Sequence, residues 1–121
     1  MPKKILVVDD ETNIVLVISS RLKANGFQVV TAECGRDALE KADSEKPDLI
    51  VLDVMMPSPD GYEVCRMLKG DPKHKNVPVI ILTAKVSEQD RSKSAECGAD
   101  AFVTKPYSPS ELLGKIKDLI P

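Results

Sequence analysis

Three features that would mark particular classes of protein are scarce in this sequence. Basic residues show no excess, since 17 lysines and arginines stand against 19 aspartates and glutamates, for a net charge of −2. A basic excess is typical of nucleic-acid-binding domains, so we expect no direct nucleic-acid binding. The three cysteines are widely spaced and form no CxxC pair, which favours reduced thiols in a cytosolic protein over a disulfide or a zinc site. No apolar stretch approaches the length of a membrane span, and the run at residues 5–8 is too short for the core of a signal peptide. These absences predict a cytoplasmic protein without membrane contacts.

The length and composition are those of one ordinary globular domain. The chain has 121 residues, of which 42% are hydrophobic and 30% charged. This length is enough to bury a substantial core within a single domain. We therefore expect residues 1–121 to form one domain.

Five short runs rich in β-branched residues predict five strands, at residues 5–8, 27–31, 49–52, 79–83 and 101–104. The run at 49–52 is apolar throughout, which indicates a strand buried on both faces, as in a parallel sheet. The segments between the runs are long enough for crossover helices. The pattern predicts a (βα)5 α/β fold, a doubly wound parallel sheet with helices on both faces. Ligands of such sheets bind outside the carboxyl ends of the strands.

Local signals mark several helix boundaries. Residues 14–23 are rich in β-branched side chains, but the length of the segment and Thr12 as a cap favour a helix over a strand. The segment 87–97 is predicted to be a helix with few apolar residues, and few buried contacts imply a low free energy of local opening. His74 lies in a polar loop, where we expect it to be solvated and without a role. Two capping boxes are predicted, Asp60–Glu63 and Ser108–Glu111, the second with Pro109 at the first helical position. Gly26 and Gly98 are predicted to end helices.

Polar residues follow the predicted strands at the edge where ligands are expected: Asp9 and Asp10, Asp53, Thr83 and Lys105. Each alone has a simpler explanation as a cap, a strand end or a solvated charge. Three carboxylates at one edge, however, repel one another and raise each other's pKa unless a cation intervenes. Oxygen ligands without histidine or cysteine suit Mg²⁺, and a carboxylate is a competent nucleophile towards a phosphoryl group. A bound Mg²⁺ and an ammonium group would together neutralise the oxygens of that group.

These residues lie in segments that resemble the receiver domain of two-component response regulators, and the resemblance extends over the whole chain. The matching segments are residues 4–11, 48–57, 60–61, 77–84 and 98–107, in the family's order and spacing. The resemblance implies a flavodoxin-like, CheY-like fold with strand order 2-1-3-4-5. It also implies a phosphorylation-controlled signalling switch rather than an enzyme, with at most self-catalysed phosphorylation and dephosphorylation.

The resemblance gives each strand-end residue a role in phosphoryl transfer. Asp53 matches the phosphoacceptor, and Lys105 matches the lysine that pairs with the phosphoryl group. The expected metal is Mg²⁺, for which Mn²⁺ can substitute. Its implied ligands are Asp10, Asp53 and the backbone carbonyl of Met55, with Asp9 acting through a bound water.

Other matching positions concern the switch. Thr83 matches the switch hydroxyl, and Ala84 matches the small residue that lets the phosphoryl group approach. Phe102 occupies the position of the aromatic switch residue, which is tyrosine in many members of the family. The phenylalanine ring can pack as the tyrosine ring does, but it cannot make the tyrosine's hydrogen bond. The bond between Lys105 and Pro106 is implied to be cis. Met55 and Lys85 occupy positions that tune hydrolysis of the aspartyl phosphate, although both also fit as plain surface side chains.

The implied phosphodonor is a sensor histidine kinase or a phosphotransfer protein. Phosphorylation is expected to alter the surface formed by segment 87–97, the fifth strand and the last helix, for an output domain or effector that the sequence does not identify. Family members of the winged-helix transcription-factor branch dimerise on this surface through salt bridges when phosphorylated. The sequence keeps only part of that pattern: Arg91 and Glu111 match one pair, and Asp100 and Lys115 are at positions that are charged in that branch. Because Cys97 and Ala101 replace two acidic residues there, we expect a monomer that forms at most a weak dimer when phosphorylated.

Two other functions fit the fold but not the residues. A metal-dependent phosphohydrolase with Asp53 as nucleophile would need a second aspartate two residues later, where Met55 stands. A flavodoxin-like flavin binder would need a loop rich in serine, threonine and glycine after the first strand, where the acidic residues 9–11 stand instead. The sequence leaves open whether the chain acts alone or is part of a longer regulator.

Overall fold

The five apolar runs form one parallel sheet in the computed structural model, which describes residues 2–56, 59–83, 96–105 and 108–120. The strand order is β2-β1-β3-β4-β5, which confirms the implied topology. Predicted and observed strands differ by at most one residue at either end. The strands are β1 (Lys4–Val8), β2 (Gln28–Ala32), β3 (Leu49–Asp53), β4 (Val79–Thr83) and β5 (Ala101–Thr104), and the helices are α1 (Thr12–Ala24), α2 (Gly35–Glu45), α3 (Gly61–Lys69) and α4 (Pro109–Leu119).

Helices cover both faces of the sheet, so the central strands are buried on both sides. Successive residues of a strand point to opposite faces, so the side chains on the two faces of the sheet belong to two separate hydrophobic cores. Leu6, Ile50 and Leu52 pack with α2 and α3, whereas Ile5 and Val51 pack with α1 and α4. All five residues of β3 are buried. A polar residue at the end of β3 is therefore held in a fixed, largely dehydrated position.

Most of the predicted helix boundaries are confirmed. The side chain of Asp60 accepts a hydrogen bond from the N–H of Glu63 at the start of α3. At the start of α4, the side chain of Ser108 accepts a hydrogen bond from the N–H of Glu111, and Pro109 is the first residue of that helix. Both glycine stops, Gly26 and Gly98, have positive φ angles, of 88° and 82°, a conformation that costs glycine little.

The prediction of Thr12 as a helix cap is wrong. Thr12 is already the first helical residue, and the cap position belongs to Glu11, whose backbone is extended and whose side chain makes no capping hydrogen bond. The carboxylate of Asp9 accepts the N–H of Glu11 at 2.9 Å. This turn fixes the backbone at residue 11 and starts the helix at the next residue.

The prediction of a solvated His74 is also wrong. The residue is only 7% exposed, and its Nε2 lies 2.6 Å from Oδ1 of Asp43, a residue 31 positions away in α2. The loop after α3 folds back against the end of α2, which a local sequence pattern cannot indicate.

Several predictions concern residues outside the described ranges. They include the body of the helix at 87–97 with Arg91, and the positions of Ala84, Lys85 and Pro106. In the described ranges, no helix has both the length and the apolar character needed to cross a membrane.

Candidate functional site

The register of the sheet brings the ends of β1 and β3 to the same level. Val8 of β1 pairs with Leu52 of β3, so Asp9 and Asp53, the next residue of each chain segment, lie side by side. Both carboxylates are buried, with 1% exposure each, whereas Asp10 is exposed. Carboxylate oxygens of these three residues lie within 4.8 Å of one another. The structure thus brings together the three aspartates that the sequence predicted as one cluster.

Both carboxylate oxygens of Asp53 have partners. Oδ1 accepts the N–H of Met55 at 3.0 Å, and Oδ2 lies 3.0 Å from Nζ of Lys105. Lys105 reaches the site from the end of β5, where its N–H donates to the carbonyl of Thr83 at 2.7 Å. The nucleophile candidate is therefore held by one backbone donor and one ammonium group.

Asp9 is satisfied on one oxygen only. Oδ1 accepts the N–H of Glu11, while Oδ2 is buried and has no hydrogen-bond partner among the described residues. Burial, with a smaller contribution from the neighbouring Asp53 carboxylate, raises the pKa of Asp9 from 3.8 to about 6, against the lowering effect of the Glu11 N–H and the Lys105 charge. The carboxylate crowding expected from the sequence therefore contributes to the pKa of Asp9, but burial contributes more.

The arrangement fits a hard divalent cation. The donors are all oxygens, one buried oxygen lacks a partner, and burial of negative charge is costly without a counter-ion. Mg²⁺ is typically bound by one or two carboxylates together with waters. The cluster of Asp9, Asp10 and Asp53 is therefore a candidate metal site.

Thr83 lies at the rim of this site. It is buried at the end of β4, one residue beyond the Asp53–Leu82 pair, and it is in register with Thr104 of β5. This places it at the same edge as Asp53 and Lys105.

Phe102 is not brought into the site. It pairs with Ile81, two residues before the end of β5, and its side chain is 44% exposed. The ring lines a shallow surface cavity together with Glu111 and Lys115 of α4. Phe102 therefore belongs to the outer surface of the fifth strand in this conformation.

The sequence reasoning missed Gly61, which shapes the site without contributing a side chain. A Cβ added there would lie 2.5 Å from the carbonyl oxygen of Asp53, well inside van der Waals contact. Only glycine lets the start of α3 approach the end of β3 so closely. The signal is the Asp60-Gly61 pair, which matches the family pattern and starts a predicted helix, but which the sequence analysis does not assign to the site.

Comparison with known proteins shows the family to which this fold belongs. The model of the response regulator receiver domain matches residues 5–117. The alkaline phosphatase synthesis transcriptional regulatory protein PhoP of Bacillus subtilis is 48% identical over 120 residues, which are 99% of this chain and 49% of PhoP. The chain thus spans about half the length of the curated relatives it matches.

Solved structures agree closely with the fold. The signal receiver domain of a signal transduction histidine kinase from Syntrophus aciditrophicus has a TM-score of 0.92 at 39% identity, over 98% of this chain and 89% of that one. The receiver domain of the sensor histidine kinase PA1611 from Pseudomonas aeruginosa, with a magnesium ion coordinated in its active-site cleft, has a TM-score of 0.90 at 28% identity, over 99% and 98% of the two chains. This chain belongs to the response regulator receiver domain family.

Proposed function

We propose that the chain is the phosphorylation-controlled switch of a response regulator and that Asp53 is the residue that accepts the phosphoryl group. The observation that carries the proposal is the buried carboxylate of Asp53, which lies beside the Lys105 ammonium group and the carboxylates of Asp9 and Asp10. The donor is a sensor histidine kinase or a phosphotransfer protein. The family is not one of conventional enzymes, and any catalysis here is confined to the domain's own phosphorylation and dephosphorylation.

Asp10, Asp53 and the backbone carbonyl of Met55 would hold the metal directly, with Asp9 acting through a water. The oxygen-only donor set and the unpartnered Oδ2 of Asp9 support Mg²⁺, with Mn²⁺ as a substitute. The magnesium ion in the PA1611 receiver domain supports the same choice. When bound, the metal supplies positive charge opposite the oxygens of the transferring group.

The protein's own residues account for the rest of the chemistry. A carboxylate oxygen of Asp53 attacks the phosphorus atom, and the bond between phosphorus and the donor nitrogen breaks. Lys105, already in contact with Asp53, pairs with the charge on the phosphoryl oxygens. The Met55 N–H keeps the carboxylate oriented during the attack.

The proposed switch uses Thr83 at this edge of the sheet and Phe102 on the outer surface of β5. Thr83 is drawn towards the phosphoryl group, and Phe102 turns inward to fill the space vacated. The present exposure of Phe102 supports this step, because burial of a large aromatic side chain is favourable. The surface of β5 and α4 then presents a different shape to its output partner.

The output lies in another protein or in another part of a longer chain. The relative PhoP is a transcriptional regulator of about twice the matched length, so any DNA contact would belong to a region outside these residues. A cytoplasmic location follows from that role.

We propose a monomer that forms at most a weak dimer on phosphorylation, since Glu111 and Lys115 are exposed on α4 and isolated surface ion pairs contribute only about 0–1 kcal/mol. Sedimentation with and without a beryllofluoride phosphate mimic tests this. A tight dimer before activation would contradict it.

The central test is labelling with a small phosphodonor and Mg²⁺. One phosphoryl group should be incorporated, and hydroxylamine should release it, as it does acyl phosphates. Asp53→Asn should abolish labelling. Asp60→Asn is the matched control, because this nearby aspartate serves as a helix cap and asparagine caps equally well. A label mapped to serine, threonine or histidine would refute the assignment.

A further inference from the structure

Two cysteines that are 32 residues apart in the sequence meet in the core. The Cys65 thiol of α3 donates to the backbone carbonyl of Cys97 at 3.4 Å, and the two thiols interact closely enough to shift each other's pKa. Both side chains are buried, and both are reduced in this structure. Reduced thiols were predicted from the sequence, but their contact was not.

The contact between the two side chains makes the two thiols chemically unequal. It raises the pKa of Cys65 and, as the largest cause, lowers the pKa of Cys97 to about 7. The N–H of Ala99 and the charge of Arg66 lower the pKa of Cys97 further, against the effect of burial. The Cys97 carbonyl accepts the S–H of Cys65 and so favours the protonated form of that thiol. Since the thiolate is the reactive form, Cys97 is the better nucleophile and Cys65 the natural resolving thiol.

We propose that Cys65 and Cys97 form a dithiol site that hydrogen peroxide converts to an intramolecular disulfide. The Cys65 sulfur already contacts the backbone of Cys97, and a disulfide forms when the two sulfurs approach to about 2.05 Å. Disulfides of cytosolic proteins are usually of this transient, redox-sensing kind.

The chemistry balances with one peroxide per disulfide. The Cys97 thiolate attacks one peroxide oxygen, the O–O bond breaks, and the departing hydroxide takes up the proton that Cys97 released, leaving a sulfenic acid and water. The Cys65 sulfur then attacks the Cys97 sulfur, the S–O bond breaks, and hydroxide leaves with the Cys65 proton as a second water. Two thiols lose two electrons, and one peroxide becomes two waters.

The position of Cys97 suits a small oxidant. Cys97 is itself only 1% exposed, but its neighbours in the chain, Glu96 and Gly98, are exposed. We expect slower oxidation than at Cys34, which is exposed.

The disulfide would strengthen a connection that already exists. Lys69 of α3 pairs with Asp100 at 2.6 Å, and Asp100 also accepts the N–H of Val79 at 2.8 Å. A covalent bond from residue 65 to residue 97 would join α3 to the chain that leads into β5, and closing a loop of this length stabilises the folded state. Because β5 carries Phe102 and leads to Lys105, the disulfide would restrain the strand that carries the proposed switch. This last step rests on the proposed function.

The test uses the full chain with Cys34→Ser, which removes the exposed thiol and places a favourable capping residue at the start of α2. Peroxide treatment followed by alkylation in denaturant should find no thiols, a mass lower by two hydrogens, and a Cys65–Cys97 linked peptide that dithiothreitol separates. The oxidised protein should melt at a higher temperature than the reduced one. This readout requires no phosphorylation, so it stands apart from the test of Asp53.

Two variants in the same background assign the roles. Cys65→Ser should stop at a Cys97 sulfenic acid that dimedone traps, whereas Cys97→Ser should leave Cys65 as an unreacted thiol. The proposal is overturned if both thiols remain after peroxide treatment continued well beyond full oxidation of Cys34 in the parent chain, or if Cys97 is oxidised while Cys65 in the Cys34→Ser protein remains a thiol.

Discussion

Nζ of Lys105 lies 3.0 Å from Oδ2 of Asp53, so a residue after β5 reaches across the end of β4 to a residue at the end of β3. Because of this contact, the two buried aspartates of the cluster differ in how many of their oxygens have a partner. Asp53 has a cation and a backbone donor for its two oxygens, whereas Asp9 keeps one buried oxygen without a partner among the described residues. The electrostatic cost of the site in the absence of metal therefore concentrates on Asp9, on which the first prediction depends.

The metal-free protein should lose stability as the pH rises from about 4 to about 6. The folded state raises the pKa of Asp9 from 3.8 to about 6, mainly through burial, so in this range it binds the proton more tightly than the unfolded chain does. The ionisation of Asp9 therefore lowers the free energy of unfolding. This loss is absent below the pKa of Asp9 in the unfolded chain and complete above its pKa in the folded state, and it is on the order of 2 kcal/mol. Urea unfolding in EDTA across this range should show it.

Asp9→Asn should flatten that part of the pH profile and raise the free energy of unfolding near pH 7, because asparagine still offers an oxygen to the Glu11 N–H. Asp60→Asn is the control and should keep the slope. An unchanged slope in Asp9→Asn would show that Asp9 is not the group that titrates.

Mg²⁺ should stabilise the protein, and Asp10 should be required for the full effect. At about 100 times its dissociation constant, a ligand specific for the folded state adds roughly 2.7 kcal/mol. Asp10→Asn should weaken Mg²⁺ binding and raise the melting temperature in EDTA, because it removes one of three crowded carboxylates.

Glu11→Gln is the matched control, since it neutralises the adjacent exposed acid, which lies outside the cluster. Thermal melts with EDTA and with Mg²⁺ separate the two variants. If Asp10→Asn were less stable in EDTA, the carboxylate would have a structural partner and the metal-site argument would weaken.

Ser19→Ala should stabilise the domain by about 1–2 kcal/mol. The Ser19 hydroxyl is buried in α1 and has no hydrogen-bond partner among the described residues, a condition that costs about 1–3 kcal/mol. Ser20→Ala is the matched control: it lies next in the same helix but is exposed, so it reports the gain in helix propensity alone, at most about 0.5 kcal/mol. Equal effects of the two substitutions in urea unfolding would show that the buried hydroxyl costs nothing.

The Asp43–His74 contact should stabilise the domain in a pH-dependent way. The hydrogen bond to His74, followed by that to Lys73, lowers the pKa of Asp43. The contribution is therefore present above the ordinary pKa of 3.8 and is lost as the pH falls through the lower, folded value. Asp43→Ala should be less stable than the wild type at pH 6, and the difference should shrink in more acidic solution.

Lys73→Ala provides the comparison, because Lys73 contacts the same carboxylate at 3.4 Å but is largely exposed. It should have a much smaller effect at every pH. A difference between Asp43→Ala and the wild type that does not change with pH would mean that the ionised carboxylate is not what stabilises the contact.

The sequence by itself determined the elements and the composition of the site, because these depend on local chemistry. The unbroken apolar run before Asp53 specifies a strand buried on both faces, and the capping side chains of Asp60 and Ser108 act within one helical turn. In a parallel sheet the carboxyl ends of the strands share one edge, so the strand ends alone predicted that Asp9, Asp53 and Lys105 would meet. The strand order itself came from the resemblance to a family, since the apolar runs are compatible with several orders.

Only the tertiary structure decided how these residues differ from one another. Asp9 and Asp10 are adjacent acids in the sequence, yet packing buries one and exposes the other, and this alone separates their electrostatic roles. The contacts of His74 with Asp43 and of Cys65 with Cys97 join residues 31 and 32 positions apart. Such pairings depend on how helices and loops dock on the sheet. Docking is governed by the sum of many weak contacts over both faces, which no local period or motif records.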